Sequence, residues 1–331
     1  MIRVRAPSRL HFGLLSLGSA EYWPNRRGEL VLPARRFGSV GLMIESPGVT
    51  ITVEPADAWS AAGPMAERAL KFAKHVHQSL PKATARSQRV VVKRVPGSHA
   101  GLGTGTQLAL AVARAVAASA EMPGLSGADL ARRAGRGLRS ALGLHGFENG
   151  GFLVEGGKKD TDAIAPMLAR AEFPAEWRVI LVIPPWGKGL HGTDEARAFE
   201  QMGDPVRSLR LTDSLCRLVL LGMLPALAER DVRAFGEALY DFNLRAGEAF
   251  ANVQGGFYSS PRIAEAVEFI RAEGLYGAGQ SSWGPAVFAI AEDHDEADAI
   301  ADKLRNRFSL AADQVLVTSG CNTGAVIETV T

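Results

Sequence analysis

A glycine-rich segment separates two runs with opposite structural preferences. Residues 89–95 include three consecutive valines and predict a strand, whereas residues 107–120 are rich in alanine and leucine and predict a helix. Between them stand Gly101, Leu102, Gly103, Thr104, Gly105 and Thr106. Glycines let a backbone approach a ligand closely, and the amides and dipole at a helix N-terminus attract anions. The pattern predicts a phosphate-binding loop, with Thr104 and Thr106 as additional hydroxyl donors.

Two common types of phosphate-binding loop do not match this segment. A Walker A loop would continue with Gly-Lys-Ser or Gly-Lys-Thr, and Gly105 is followed by Thr106 and Gln107. A dinucleotide-binding loop would be followed by an acidic residue after a second strand, at a spacing that this sequence lacks. A glycine-rich turn that binds no ligand therefore stays open as an alternative.

The remaining chain alternates between strand-like and helix-like segments. A long irregular stretch, 19–38, carries Arg26, Arg27, Arg35 and Arg36, and loops of that length are usually functional or mobile. Gly277 to Pro285 predicts a glycine-rich turn. We expect strands near 2–5, 49–53, 177–183, 286–290, 314–318 and 324–330, and helices near 64–80, 126, 207–230, 231–250, 261–273 and 294–307.

Length and charge limit the classes of protein to consider. A chain of 331 residues is long for one hydrophobic core, so we expect two domains, 1–172 and 173–331. Its 37 basic and 35 acidic residues give a formal charge of only +2, which argues against a nucleic-acid partner. Any anion must then be bound locally, by a few arginines and backbone amides.

Cysteine usage and the N-terminus predict a soluble cytoplasmic protein. Cys216 and Cys321 lie far apart and are expected to be free thiols, as in a reducing compartment. The N-terminus lacks the apolar core of a signal peptide. The apolar run Leu215 to Ala228 contains Arg217 and is too short to span a bilayer.

Three motifs in order along the chain resemble those of the GHMP superfamily of small-molecule kinases and decarboxylases. They are an Ala-Pro-x-Arg-Leu stretch at 6–14, the glycine loop at 96–105 and a glycine-rich turn at 277–285. Three ordered motifs are far more specific than any one of them. The resemblance implies a two-domain α+β fold, with a ribosomal-protein-like N-terminal domain that carries the anion loop and a ferredoxin-like C-terminal domain. The active site would lie in the cleft between them.

Within that superfamily the chain is most similar to the β-ribofuranosylaminobenzene 5'-phosphate synthases. The similar segments run nearly end to end: Arg9 to Gly13, Gly101 to Gln107, Phe147 to Phe152, Gly279 to Pro285 and Asn322 to Ala325. The resemblance implies transfer of phosphoribose from phosphoribosyl pyrophosphate to 4-aminobenzoate or 4-hydroxybenzoate, with loss of carbon dioxide and pyrophosphate, in tetrahydromethanopterin biosynthesis. It also implies magnesium, and no organic cofactor.

One departure bears on the alternatives. GHMP kinases that use a catalytic aspartate carry it in a Ser-Gly-x-Asp segment, and the corresponding tract here is Ser140-Ala141-Leu142-Gly143. Gly143 replaces the acid, which weakens the hypothesis of an ATP-dependent kinase and leaves Glu148 as the acid nearby. A catalytically inactive ligand-binding protein is the other alternative. Ala141 and the basic stretch 26–36 also depart from the synthases, so the acceptor stays open.

The resemblance and the chemistry together give candidate site residues. Arg9, His11 and Glu148 are the catalytic candidates, since arginine suits a carboxylate and the other two can move protons. His99 precedes the loop and would contact phosphate. The substrate-binding candidates are Arg136, Arg139, Ser140, His145, His191, Gln280, Ser281, Ser282 and Trp283. Surface salt bridges, structural histidines and packing between domains are the ordinary alternatives for these residues.

Expected partners are small-molecule substrates, with neither nucleic acid nor membrane. The sequence names no metal ligands and leaves the oligomeric state open, a homodimer being one alternative.

Overall fold

The structure is a computed structural model that describes residues 1–16, 23–24, 30–32, 35–80, 86–137, 140–159, 164–187 and 205–330. The strands are β1 (Ile2–Leu14), β2 (Trp23–Pro24), β3 (Leu30–Leu32), β4 (Ser39–Pro55), β5 (Ser60–Ala62), β6 (Gln88–Arg94), β7 (Phe152–Glu155), β8 (Met167–Ala171), β9 (Arg178–Val182), β10 (Gly277–Gln280), β11 (Val287–Ala291), β12 (Val315–Thr318) and β13 (Val326–Thr329).

Helices cover the sheets formed by these strands. They are α1 (Ala66–Gln78), α2 (Thr104–Ser119), α3 (Gly127–Arg133), α4 (Leu142–Asn149), α5 (Pro205–Leu218), α6 (Leu224–Glu229), α7 (Val232–Glu248), α8 (Ala251–Gln254), α9 (Pro261–Ala272) and α10 (His294–Phe308). A π-helical segment, Val219–Met223, joins α5 to α6 without a break.

The first sheet is built around two long antiparallel strands. Its order is β13-β1-β4-β6-β5. In addition, β7 pairs with the first part of β4, and β8 pairs with β7. The pairing of β1 with β4 shifts register twice, between Ala6 and Ser8 and between His11 and Gly13. Such shifts bend a strand and re-aim its side chains. The second shift lies beside His11, at the end of β1 that reaches the second sheet.

The second sheet is antiparallel in the order β10-β11-β9-β12 and is buried on both faces. In β9, Val179 and Leu181 contribute to the core between the two sheets, whereas Ile180 and Val182 contribute to the core under α9 and α10. Alternate residues of a strand point to opposite faces, so a strand covered on both faces is a continuous apolar run. A third core packs α1 to α4 on the first sheet.

Most predicted elements are confirmed, with small shifts in their bounds. The predicted N-cap Ser126 accepts a hydrogen bond from the amide of Asp129. The predicted turn 277–285 is wrong in its first half, because residues 277–280 form β10. Added side-chain atoms would collide there, since a Cβ on Gly279 would lie 2.3 Å from Oδ1 of Asn243. The glycines of β10 therefore allow α7 to pack closely on the strand.

The helix predicted near 207–230 is present and is unusually long and apolar. Residues 210–229 form a continuous helix of 20 residues, long and apolar enough by length and composition alone to cross a membrane. A single such helix is weak evidence for a membrane span. Several of its apolar side chains pack into the core between the sheets, namely Leu215, Val219, Met223, Ala226 and Leu227.

The domain boundary near 172 stays a prediction. The strands on either side of it, β8 and β9, belong to different sheets, and the C-terminal strand β13 returns to pair with β1.

Candidate functional site

A cavity of about 550 Å³ lies where the two sheets meet. Pockets of this size typically take small-molecule ligands. Its lining comes from the end of β1, from α1 and α2, from the loop after α3, from α7 and α8, and from the turn after β10. These residues are Arg9, His11, Phe12, Gly13, Leu14, Phe37, Arg68, His99, Thr106, Gly135, Arg136, Gly137, Ser140, Asn243, Ala246, Gly247, Phe250, Gln254, Phe257, Gln280, Ser282 and Trp283.

Backbone hydrogen bonds fix the end of β1 between the glycine loop and the turn after β10. The amide of Arg9 donates to the carbonyl of Leu102 at 3.0 Å, and the amide of Ser282 donates to the carbonyl of His11 at 2.9 Å. The buried hydroxyl of Ser281 accepts from the amide of His11 at 3.0 Å and donates to the carbonyl of Gly101 at 2.7 Å. The first and third sequence motifs therefore meet at the second.

The glycines of the loop make close contacts with other parts of the protein. A Cβ on Gly101 would lie 2.3 Å from the carbonyl oxygen of Ser281. Gly103 has a φ of 69°, and a Cβ there would lie 3.2 Å from Cβ of Arg9. A Cβ on Gly105 would lie 2.6 Å from Nη2 of Arg68. These glycines thus let the turn and two arginine side chains pack directly on the loop.

The predicted phosphate ligands of the loop divide into two groups. Thr106 and His99 line the cavity. Leu102 is buried in the core, and the hydroxyl of Thr104 donates to the carbonyl of Gly97 at 3.2 Å, and neither residue lines the cavity. Of Thr104 and Thr106, only Thr106 therefore offers its hydroxyl to the cavity.

The cavity wall is strongly cationic. Arg9, Arg68 and Arg136 line it together with His11 and His99, and no aspartate or glutamate lines it among the residues that the structure describes. Burial, with a smaller effect of the Arg9 guanidinium, holds the pKa of His11 well below 6.5. The imidazole is therefore neutral at neutral pH. Before the reaction this imidazole carries no charge, and its two nitrogens can accept one proton and donate another.

A second part of the wall is aromatic. Phe250 and Trp283 contact each other edge to face, with ring centroids 4.6 Å apart, and Phe257 lies beside them in the lining. Phe12 and Phe37 add rings from the first part of the chain. Aromatic side chains of this kind present flat apolar surface to a planar ligand.

The polar groups at the turn after β10 are mostly occupied by structural contacts. Gln280 accepts from the amide of Ser259 at 2.7 Å and donates to the carbonyl of Ser282 at 2.9 Å. Asn243 donates to the carbonyls of Phe12 and Gln280, and it accepts from the amide of Gln280. These two side chains line the cavity and fix its shape. Ser282 and Trp283 remain as the predicted substrate contacts from this turn.

Outside the loop, three predicted site residues that the structure describes lie away from the cavity lining. The carboxylate of Glu148 accepts from the amide of Gly127 and lies 4.0 Å from Arg114, so it holds α4 to α3. The imidazole of His145 bonds to the carbonyl of Ala165 at 2.8 Å. Ser281 is fully buried under the turn. The positions of Glu148 and His145 give no support to a role in catalysis or substrate binding.

Arg139 and His191 lie outside the described residues, as do Arg26 and Arg27. Their predicted roles stay predictions.

Sequence reasoning missed a buried carboxylate beneath Ser140. Glu155 accepts hydrogen bonds from the hydroxyl of Ser39 and, at 2.6 Å, from the amide of Ala141. Burial raises the pKa of Glu155 above 4.5, and the bonds from Ser140, Ser39 and Ala141 partly offset that effect. Glu155 therefore fixes the start of α4 and the cavity residue Ser140. No local motif marks it, because its partners are distant in sequence.

Arg68 was also missed. It lies in the first turn of α1, and an arginine on an amphipathic helix is usually solvent-exposed. Only the packing of α1 on the loop, with Arg68 against Gly105, brings the guanidinium into the cavity.

Comparisons with known proteins agree with this architecture. Residues 223–310 match the family model described as GHMP kinases C terminal. The solved structure of mevalonate diphosphate decarboxylase from Enterococcus faecalis superposes with a TM-score of 0.67 at 18% identity, covering 99% of this chain and 98% of that one. The likeness to that structure shows the fold, which is the two-domain GHMP fold.

Curated relatives of known name match over nearly their whole length. The β-ribofuranosylphenol 5'-phosphate synthase of Archaeoglobus fulgidus is 30% identical, with 99% of this chain and 100% of the relative covered. That of Methanothermobacter thermautotrophicus is 29% identical, with 97% of each covered. Together with the GHMP fold and the three motifs that meet at the cavity, this similarity shows that the chain belongs to the β-ribofuranosylphenol 5'-phosphate synthase family.

Proposed function

We propose that the protein transfers phosphoribose from phosphoribosyl pyrophosphate to 4-hydroxybenzoate, with decarboxylation. A bond forms between C1 of the ribose and the ring carbon that bears the carboxylate, and the bond from C1 to pyrophosphate breaks. The carboxylate then leaves as carbon dioxide, and its bonding electrons restore the aromatic ring. The products are the ribofuranosylphenol 5'-phosphate, carbon dioxide and pyrophosphate, and no redox partner is needed.

The observation that carries this proposal is the composition of the cavity wall. Three arginines, with no carboxylate among the described lining residues, suit substrates that together carry phosphate at two positions and a carboxylate. The rings of Phe250, Phe257 and Trp283 suit a planar aromatic acceptor. A cavity that combines these two features fits both substrates of this reaction.

Arg9 and His11 supply the reacting groups in this proposal. Arg9 orients the benzoate carboxylate, for which its planar fork is suited. The neutral imidazole of His11 accepts the proton of the acceptor hydroxyl, which increases electron density on the ring carbon that attacks. It returns this proton to the phenolate oxygen once carbon dioxide has left, which gives the phenol product and restores the neutral imidazole. Developing negative charge on the departing pyrophosphate is stabilised by the cationic wall.

The relatives' name favours 4-hydroxybenzoate over 4-aminobenzoate as acceptor. A phenol product requires a hydroxyl opposite the carboxylate, whereas 4-aminobenzoate would give an aniline. We place the reaction in tetrahydromethanopterin biosynthesis, as the resemblance to the synthases implies.

The protein residues offer little to a resident magnesium ion. Magnesium in proteins usually has one or two carboxylate ligands, and no carboxylate lines the described part of the cavity. One solved structure with this fold contains magnesium together with AMPPCP. Magnesium would therefore enter with the donor. The hydroxyls of Thr106 and Ser140, which line the cavity, would be its neutral oxygen ligands from the protein.

Among the residues that the structure describes, neither position considered for a kinase's catalytic acid places a carboxylate in the cavity lining. Gly143 lies beside the loop, with its carbonyl accepting from Gln107 at 2.7 Å, and a Cβ there would lie 3.3 Å from Thr106. Glu148, the other candidate acid, lies away from the cavity lining.

Ligand binding separates the two activities directly. Because a ligand that binds only the folded state raises the melting temperature, phosphoribosyl pyrophosphate with magnesium should raise Tm by several degrees at saturating concentration. ATP with magnesium at the same concentration should raise it much less. A large shift with ATP and none with phosphoribosyl pyrophosphate would contradict the proposal and favour a kinase.

A further inference from the structure

Two arginines from distant parts of the chain meet on one aromatic ring at the cavity wall. Arg68 lies in α1, one turn before Phe72, and its Cζ lies 5.7 Å from the ring centroid. Arg136 comes from the loop after α3, and its Cζ lies 5.0 Å from the same centroid. Both arginines line the cavity. The pair therefore presents two positive charges from one small area of the wall.

This arrangement is electrostatically unfavourable without a ligand. Neither Arg68 nor Arg136 forms an ion pair with a carboxylate in the part of the chain that the structure describes. Nε of Arg136 is buried and has no hydrogen-bond partner there. Burial and the nearby Arg68 both lower the pKa of Arg136. Two like charges held together in a partly desolvated site indicate a site for an anion.

The backbone around both residues holds them in place. Gly135, at φ 63°, ends α3 in a Schellman motif, with the amide of Arg136 donating to the carbonyl of Ala131 at 2.8 Å. The Arg68 guanidinium packs against Gly105 in the first turn of α2. An anion between the two arginines would thus also lie near the N-terminus of a 16-residue helix, whose dipole favours negative charge.

The pair is a different charge centre from the one at Arg9 and His11. The charge of Arg9 lowers the pKa of His11, whereas the charge of Arg68 lowers the pKa of Arg136. Along the loop, Arg9 packs beside Gly103 and Arg68 beside Gly105. The two cationic centres therefore pack beside different glycines of the loop.

We propose that Arg68 and Arg136 together form a binding site for a phosphomonoester dianion, the 5'-phosphate of the sugar. This assignment rests on the proposed function for the identity of the sugar. A phosphomonoester carries a charge of about −1.5 to −2 at neutral pH, which two guanidinium groups balance. The 5'-phosphate does not react, so a site apart from Arg9 and His11 can hold both the donor and the product by it. Arg9 and His11 are then left to the acceptor, at the reacting end of the donor.

Binding of ribose 5-phosphate, which cannot react, tests the site without turnover. Calorimetric titration compares the affinity of wild type for ribose 5-phosphate with that of Arg68→Met and of Arg136→Met. Each variant should bind ribose 5-phosphate about 10- to 100-fold more weakly than wild type, because it loses charge-assisted hydrogen bonds. Arg233→Met is the matched control. Arg233 also stacks on a ring, that of Tyr276 at 4.8 Å, and lies outside the cavity lining. The affinity of Arg233→Met for ribose 5-phosphate should match that of wild type.

A second variant separates misfolding from loss of the site. Gly105 lies in the first turn of α2, where alanine is a better helix former than glycine. The added Cβ would meet Nη2 of Arg68 and displace it. Gly105→Ala should therefore weaken ribose 5-phosphate binding at least tenfold while Tm stays at or above that of wild type. Full affinity in folded Gly105→Ala would contradict the proposal.

The outcomes distinguish this site from the overall reaction. Unchanged ribose 5-phosphate affinity in folded Arg68→Met and Arg136→Met would overturn the site even when wild type converts both substrates. A loss of pyrophosphate affinity as large as the loss of ribose 5-phosphate affinity would also overturn it, because the pair would then hold the diphosphate. If wild type binds ribose 5-phosphate through this pair and releases no carbon dioxide, the site stands and the proposed function fails.

Discussion

His11 is the residue whose ionisation the fold controls most clearly. Its folded pKa is held well below 6.5, mainly by burial. Between the folded value and 6.5 the unfolded chain therefore binds a proton that the folded protein does not. The free energy of unfolding from this group then falls as the pH falls below 6.5, with a limiting slope of about 1.4 kcal/mol per pH unit.

Replacing His11 should remove this acid sensitivity. Between pH 7 and pH 5, His11→Gln should lose less unfolding free energy than wild type, because glutamine does not titrate. Urea denaturation of both proteins at each pH measures the difference. If the two proteins lose stability in parallel, His11 is not a buried neutral imidazole.

Arg9 tests the role of a planar fork at the same centre. Arg9→Lys keeps the charge and loses the two-pronged contact with a carboxylate, so kcat should fall about 10- to 100-fold. If that contact forms chiefly in the transition state, kcat falls more than KM rises. Steady-state kinetics with varied benzoate measures both. Activity equal to wild type would exclude this role for Arg9.

The residues that sequence could identify are those in contiguous motifs. Arg9, His11, Thr106, Ser282 and Trp283 stand in motifs and line the cavity. Arg68 and Glu155 stand in ordinary helix and strand contexts, and only tertiary packing gives them their partners. Glu148 shows the reverse, since an acid inside a motif proved to hold two helices together.

At the level of elements, Glu155 connects the first sheet to α4. It is fully buried and accepts from Ser39 and from the amide of Ala141 at the start of α4. Glu155→Ala should lower the free energy of unfolding by about 2–4 kcal/mol, because buried donors lose their acceptor. Glu172→Ala, at a side chain that is 76% exposed, is the control and should change it by less than about 0.5 kcal/mol. Chemical denaturation measures both, and equal stabilities would contradict this account of Glu155.

Element types were largely predictable, and element boundaries at glycines were not. The alanine-rich run became α2, and Ser126 became a helix cap as predicted. The glycines of β10 were assigned to a turn, because glycine usually weakens a strand. The deciding contact is with α7, over 30 residues earlier in the chain, where Asn243 packs on Gly279. No local pattern carries that information.

At the scale of the whole molecule, the site exists only because distant segments of the chain meet. The end of β1 is hydrogen-bonded to both the glycine loop and the turn after β10. The cationic residues come mainly from the first half of the chain, and the aromatic side chains Phe250, Phe257 and Trp283 from the second. The fold class and the order of motifs were predictable from resemblance, whereas the pairing of these two surfaces required the structure.

The central claim is that this cavity joins a sugar phosphate to a benzoate while releasing carbon dioxide. The most direct measurement is release of labelled carbon dioxide from carboxyl-labelled 4-hydroxybenzoate in the presence of phosphoribosyl pyrophosphate and magnesium, with pyrophosphate followed in parallel. We expect equal molar amounts of carbon dioxide and pyrophosphate, dependent on both substrates, and less of each with 4-aminobenzoate. Pyrophosphate release without carbon dioxide, or no release of either product from either benzoate by the folded protein, would contradict it.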